Sequence, residues 1–138
     1  MSHIDATITA TLVSEDERLA FTPKLFGKHF MLGEQLVYDW MGSLCTEYTG
    51  GFWAFYELSN GGMFMAPTEQ LEMHLRWAMN YSSEHVSAQA AGIVATLFAM
   101  NQVINSEQYE QSLIDRFYAL REYAAAHEDA RAIYRLID

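Results

Sequence analysis

From Ala88 to Ile104 the chain is apolar almost all the way round a helical wheel. A helix without a polar face has nowhere to sit except inside a fold, so other elements have to surround it. Within it Gln89, Gly92, Thr96 and Ala99 line up as a small-residue stripe, which lets a neighbouring element come close. The run cannot serve as a membrane span. From Val86 to Met100 it is interrupted by Ser87, Gln89 and Thr96, and falls short of the roughly 18 apolar residues a span needs.

The strongest β signal precedes that helix. Phe52–Leu58 and Met63–Ala66 flank Ser59-Asn60-Gly61-Gly62, and Asn-Gly between two such runs signals a hairpin because both residues tolerate positive φ. A two-residue turn at Asn60 and Gly61 sets Leu58 opposite Met63 and Tyr56 opposite Met65, with Trp53, Phe55, Phe64 and Glu57 pointing the other way. Both faces are apolar, so the hairpin is expected to be covered on both sides. Pro67 ends it. Residues 71–77 then alternate, with Leu71, Met73, Leu75 and Trp77 inward and Glu72, His74 and Arg76 outward, as a half-buried strand does. Tyr81–Val86 reads as a further extended piece.

Helical signals lie on either side. Residues 6–13 alternate partly and read as a short extended segment. Ser14 with Glu17 makes a capping box, and Thr22-Pro23 marks a second helix start. Lys28–Leu44 is a helix with Phe30, Val37, Trp40, Met41 and Leu44 on one face. Ser106 caps another with Tyr109, Leu113, Phe117, Leu120 and Ala124 inward. A last short helix follows His127, with Ile133 and Ile137 inward. Strands in mid-chain between helices give an α+β class, a small antiparallel sheet packed with several helices. The length of 138 residues, with 51% hydrophobic residues and no dividing linker, fits a single domain over 1–138.

Charge narrows the function. Eighteen acidic residues against eight Lys and Arg give a formal charge of −10, and without basic residues to neutralise phosphate, direct DNA binding is not expected. Imitation of DNA needs ranked carboxylates, yet the longest acidic run is Glu15-Asp16-Glu17, followed at once by Arg18. The other acids are interspersed and read as solvated helix faces. One cysteine, Cys45, excludes an internal disulfide and fits a reducing compartment. The start of the chain, Met1-Ser2-His3-Ile4-Asp5, lacks the pattern of a signal peptide. The expected setting is cytoplasmic.

Catalytic patterns are missing. The histidines at 3, 29, 74, 85 and 127 have no metal-ligand spacing. His74 reads as a surface residue, and His127 as a cation at the negative end of a helix. Met41-Gly42-Ser43-Leu44-Cys45 is no nucleophile elbow, Cys45 reads as an inert core thiol, and neither Gly-Gly pair belongs to a phosphate loop. The sequence points to no enzyme, cofactor or metal. The aromatic and methionine cluster at 52–65 is either core or a partner-binding surface. Glu57 is its polar exception, marking a buried pair or a functional face, and Asn60 is explained by its turn.

Several stretches together resemble the KlcA/ArdB antirestriction family. They are Ile8–Val13, Phe26–Met31, Gly33-Glu34, Tyr38–Cys45, the distinctive block Gly50–Gly62 with Met65-Ala66-Pro67, Ser87–Phe98, and Ile133-Tyr134-Arg135 through Ile137-Asp138. The likeness keeps order and spacing over nearly the whole chain and is weakest at 68–86. It implies a non-enzymatic inhibitor that relieves type I restriction–modification and protects incoming plasmid or phage DNA in a bacterial host. The implied partner is the type I restriction–modification complex, met directly or through a host factor, by a monomer or weak dimer. The alternative is a small binding or adaptor module for mobile-element maintenance, acting through another host protein. Candidate interaction residues are Trp53, Tyr56, Glu57, Asn60 and Asp138.

Overall fold

The computed structural model describes residues 7–106 and 109–138. It contains five strands, β1 (Ala10–Leu12), β2 (Trp53–Leu58), β3 (Met63–Pro67), β4 (Glu72–Trp77) and β5 (Ser82–Ser87). Five α-helices complete it, α1 (Arg18–Phe26), α2 (Phe30–Leu44), α3 (Ala88–Ile104), α4 (Gln111–Ala126) and α5 (Ala130–Ile137). The class is α+β, as expected, but the strands form two antiparallel sheets instead of one, β1-β2-β3 and β4-β5.

The all-apolar run forms α3 over the expected residues, and Ser87 caps it by accepting the amide of Ala90 at 3.1 Å. Twelve of its residues are buried, from Ala88 to Val103. The small-residue stripe faces the outer edge of β3. A Cβ on Gly92 would lie 2.3 Å from the Met65 carbonyl oxygen and 2.4 Å from Ala66 Cβ, so only glycine admits this approach. One turn further on, the Thr96 hydroxyl accepts the Met65 amide at 3.3 Å and faces the Met65 carbonyl at 3.4 Å. Those two groups point outward because residues 52, 58, 62 and 68 carry the β2–β3 ladder bonds and bonding direction alternates along a strand. Thr96 therefore stands in for a fourth strand. Here lies the reason for two sheets: the edge onto which β4 would add is occupied by a helix, which leaves β4 to pair with β5.

The hairpin register differs from expectation by one residue. Glu57 pairs with Met63, Tyr56 with Phe64 and Phe55 with Met65. Asn60 does not adopt positive φ; only Gly61 does, at +93°. The loop is thus three residues, Ser59-Asn60-Gly61, closed by Leu58 N–H to the Gly62 carbonyl at 2.8 Å. Three-residue loops of this kind place their last residue in the left-handed region. The slip exchanges the faces of β3, so Phe64 joins Tyr56 and Met65 joins Phe55. Both faces are covered nonetheless. Phe55 stacks on Phe21 of α1 at 4.6 Å, and on the other side Phe64 stacks on Tyr56 at 4.8 Å and on Tyr123 of α4 at 5.8 Å. Pro67 ends β3 opposite Trp53, where its missing N–H faces the outer edge and costs no ladder bond.

Several local signals resolve differently. Ser14 precedes a single 3-10 turn, Glu15–Glu17, but its side chain makes no capping bond. Thr22-Pro23 does not start a helix, because α1 begins at Arg18 and Pro23 lies inside it. Its burial of Phe21, Leu25 and Phe26 outweighs the one hydrogen bond that proline removes. Ser106 is not a cap either: its hydroxyl turns back to the Val103 carbonyl at 2.6 Å, and α4 starts at Gln111. Tyr109 is accordingly exposed, while Leu113, Leu120 and Ala124 are buried as expected. In α2, Val37, Met41 and Leu44 are buried, Trp40 is half-buried and Phe30 is at the surface. Leu71 lies outside β4 and is exposed. In α5, Ile133 and Leu136 fill the interior and Ile137 is half-buried.

Thr96→Val keeps the shape and removes the hydroxyl, leaving both Met65 groups buried without a partner. A loss of about 1–3 kcal/mol is expected in chemical denaturation. Unchanged stability would show that the edge does not need capping.

Candidate functional site

The five candidate residues are not gathered in one place. Trp53 is 5% exposed, donates its indole N–H to the Tyr48 hydroxyl at 2.8 Å and meets the Tyr38 and Tyr48 rings edge-on. It is a satisfied core residue. Tyr56 and Glu57 are successive on β2 and point to opposite faces, Tyr56 into the Phe64 stack and Glu57 to Lys24 of α1 at 2.8 Å. That pair is half exposed, at 48% and 35%, and contributes about 0–1 kcal/mol. Asn60 does more than turn the chain. Its oxygen accepts the Gly62 amide at 3.0 Å and its nitrogen donates to the Ala119 carbonyl at 2.8 Å, fastening the hairpin tip to α4. Asp138 closes α5 through its amide to the Tyr134 carbonyl, and its carboxylate lies 3.8 Å from Arg121 of α4.

A second constellation escaped the sequence reading because its members come from separate elements. A cleft of about 240 Å³ opens between the segment after α2 and the wet face of β4-β5, lined by Cys45, Glu47, Tyr48, Gln70, Glu72 and His74 among others. The register His74↔His85 stacks the two imidazoles at 4.1 Å. Arg76 donates to His74 Nδ1 at 2.7 Å, which leaves Nε2–H to donate to Ser83 Oγ at 2.6 Å. Arg76 also lies 3.5 Å from Glu47, and His85 lies 3.6 Å from Glu72. The only sequence signal was the outward Glu72-His74-Arg76 row. Its partners on β5 could not be assigned without the pairing.

The chemistry of this cleft is electrostatic. Burial first, then the nearby Glu47 carboxylate, raises the pKa of the Cys45 thiol, and its Sγ lies 3.6 Å from that carboxylate. It stays protonated, the opposite of what a nucleophile requires. Desolvation, then the like charges of Arg76 and His85, lowers the pKa of His74. Neither ring nitrogen of His74 is free to serve Cys45 as a base. Among the described residues no three His, Cys, Asp or Glu side chains are grouped to hold a metal ion. Near the start of α3, His127 is held by hydrogen bonds at both ring nitrogens. Its Nδ1 accepts the Asp129 amide at 2.9 Å and its Nε2–H faces Gln89 Oε1 at 2.9 Å, an arrangement of the neutral ring.

These features define an acidic α+β protein whose polar clusters hold elements together and whose one thiol is buried beside a carboxylate. A family model described as antirestriction protein matches residues 46–138. The antirestriction protein KlcA of Escherichia coli is 46% identical over 141 residues, covering 98% of this chain and 97% of that protein. The protein YafX of Escherichia coli K12 is 37% identical over 135 residues, covering 95% and 88%. A solved structure matches with a TM-score of 0.87 and 44% identity over 100% of both chains. It comes from work on the KlcA and ArdB proteins, described as having a novel fold and antirestriction activity against type I DNA restriction systems in vivo but not in vitro. The chain belongs to the antirestriction protein family.

Two measurements follow. Alkylation of Cys45 in the folded protein is expected to be slower than in the unfolded chain, with its pH midpoint displaced upward from 9.0; a midpoint below that value would mean an activated thiol. For His74 the unfolded state binds the proton more readily, so stability is present above pH 6.5 and falls as the pH drops through 6.5 toward the lower folded value. His74→Gln is expected to flatten that part of the stability profile, and an unchanged slope would assign it elsewhere.

Proposed function

We propose that this protein relieves type I restriction in the bacterial cell as a non-enzymatic inhibitor, protecting incoming plasmid or phage DNA by engaging other proteins. The observation that carries the reading is the full-length likeness, at 44% identity and a TM-score of 0.87, to a structure whose proteins act against type I systems in vivo. Because that activity is absent in vitro, action through a host factor is favoured over a direct block of the isolated enzyme. The protonated Cys45 and the fully engaged His74 support a role without catalysis.

The distribution of charge argues against imitation of DNA. Glu47, Glu57, Glu84 and Asp138 each lie within 4.0 Å of a Lys or Arg side chain, so part of the acidic charge is spent on internal pairs. A duplex mimic needs unpaired charges at about one per 1.7 Å of axis. Among the described residues no helix is long and apolar enough to cross a membrane, which is compatible with action in the cytoplasm.

Cells expressing the protein and carrying a type I system are expected to plate unmodified phage far more efficiently than cells without it, with Cys45→Ala as effective as the wild type. Unchanged plating against several type I systems would refute the reading, and loss of activity in folded Cys45→Ala would refute its non-enzymatic part.

A further inference from the structure

The two edges of the three-stranded sheet are treated differently. The β3 edge is capped by Thr96, whereas β1 forms the opposite edge. The ladder bonds Val13 N–H to Phe55 and Ser59 N–H to Thr9 assign residues 9, 11 and 13 to β2. By alternation the amides and carbonyls of Ala10 and Leu12 point away from the sheet, and among the described residues no backbone group bonds to them. Leu12 is 60% exposed beside them. Beside this edge a groove of about 420 Å³ lies over the face that Thr11 shares with Glu57, lined also by Leu12, Ser14, Glu17 and Ser59.

We propose that the open edge of β1 receives an extended, basic segment of a partner protein, which joins the sheet as an added strand; this deepens the reading above and rests on it. Exposed main-chain groups supply the general affinity, as in other cases of strand addition. Charge selects the occupant. Glu15, Asp16 and Glu17 are separated from β1 by two residues, are exposed, and have no ion-pair partner among the described residues. The nearby cations are already engaged, Arg18 by the Trp53 carbonyl and the Phe55 ring and Lys24 by Glu57. In an antiparallel pairing, residues opposite Ala10 and Leu12 meet apolar side chains, while their neighbours lie on the Thr11 side, toward Glu17, which unlike Glu57 has no ion-pair partner among the described residues. The fitting sequence therefore alternates apolar residues with Lys or Arg. A second copy fits poorly, since pairing at β1 sets two chains of formal charge −10 edge to edge.

The decisive variant is Leu12→Pro. It deletes an outward amide and leaves the β1–β2 ladder bonds intact, as proline at a sheet edge does. The probe is a synthetic peptide alternating lysine and valine, titrated into isotopically labelled protein and followed by amide NMR. Shifts are expected at Ala10, Leu12 and Glu17. The apparent affinity is expected to fall about tenfold or more in Leu12→Pro, the loss of one main-chain bond, and to fall with added salt. A peptide alternating glutamate and valine is expected not to bind.

Equal binding by Leu12→Pro, or by the acidic peptide, overturns the proposal. So does a concentration-dependent dimer in sedimentation that Leu12→Pro abolishes, because the edge would then belong to a second copy. In a restricting host, Leu12→Pro that is folded by circular dichroism is expected to lose relief of restriction. If the wild type relieves restriction and Leu12→Pro does so equally, this inference fails and the function stands. If the wild type gives no relief, the function fails, and the peptide titration still decides the edge.

Discussion

The contact between Thr96 of α3 and the main chain of Met65 governs the arrangement of the rest. A sheet edge carries main-chain donors and acceptors that must be satisfied once buried, and here one hydroxyl serves as both partner groups. It can do so only because Gly92, a turn earlier, has no Cβ to hold the helix away from the strand. With that edge closed, β4 has to pair with β5, and the second sheet is carried to α5. There Asn80 donates to the carbonyls of Arg135 and Leu136, and Glu84 lies 3.6 Å from Arg135. β1 forms the other edge of the first sheet, where among the described residues no backbone group bonds to Ala10 or Leu12.

Polar groups are used mainly as fasteners between elements. Asn60 ties the hairpin tip to α4, Lys24–Glu57 ties α1 to β2, Trp40 donates to Gln102 across α2 and α3, and His127 joins the end of α4 to Gln89 of α3. Each such surface bond is worth little alone. The acidic run Glu15–Glu17, without an ion-pair partner among the described residues, lies shortly after β1, the edge strand of the first sheet.

Much of the local structure could be read before the fold was known. The boundaries of α3, the burial of Val37, Met41 and Leu44 in α2, the existence of the hairpin and the alternation of β4 follow from side-chain periodicity, which depends only on neighbours in sequence. Errors arose where two competing local solutions were both acceptable. Asn60-Gly61 suits a two-residue turn, but the bond from Asn60 to the Ala119 carbonyl favours the three-residue loop and slips the register by one. Thr22-Pro23 is a sound helix start, overruled because Phe21 lies N-terminal to it and has to reach Phe55. Ser106 can cap a following helix, yet bonds backward to Val103 instead.

The candidate residues divide along the same line. By itself the sequence determined the α+β class, the buried helix and the resemblance to an antirestriction family, because these rest on residue types and their short-range spacing. Only the tertiary structure decided that Trp53 is core, that Tyr56 and Glu57 serve opposite faces, that Cys45 and the His74–His85 pair share a cleft, and that one sheet edge is capped by Thr96 while the other has no backbone partner among the described residues. Those outcomes depend on which distant segment supplies the partner of a given hydrogen-bonding group, and no pattern within a single segment encodes that choice.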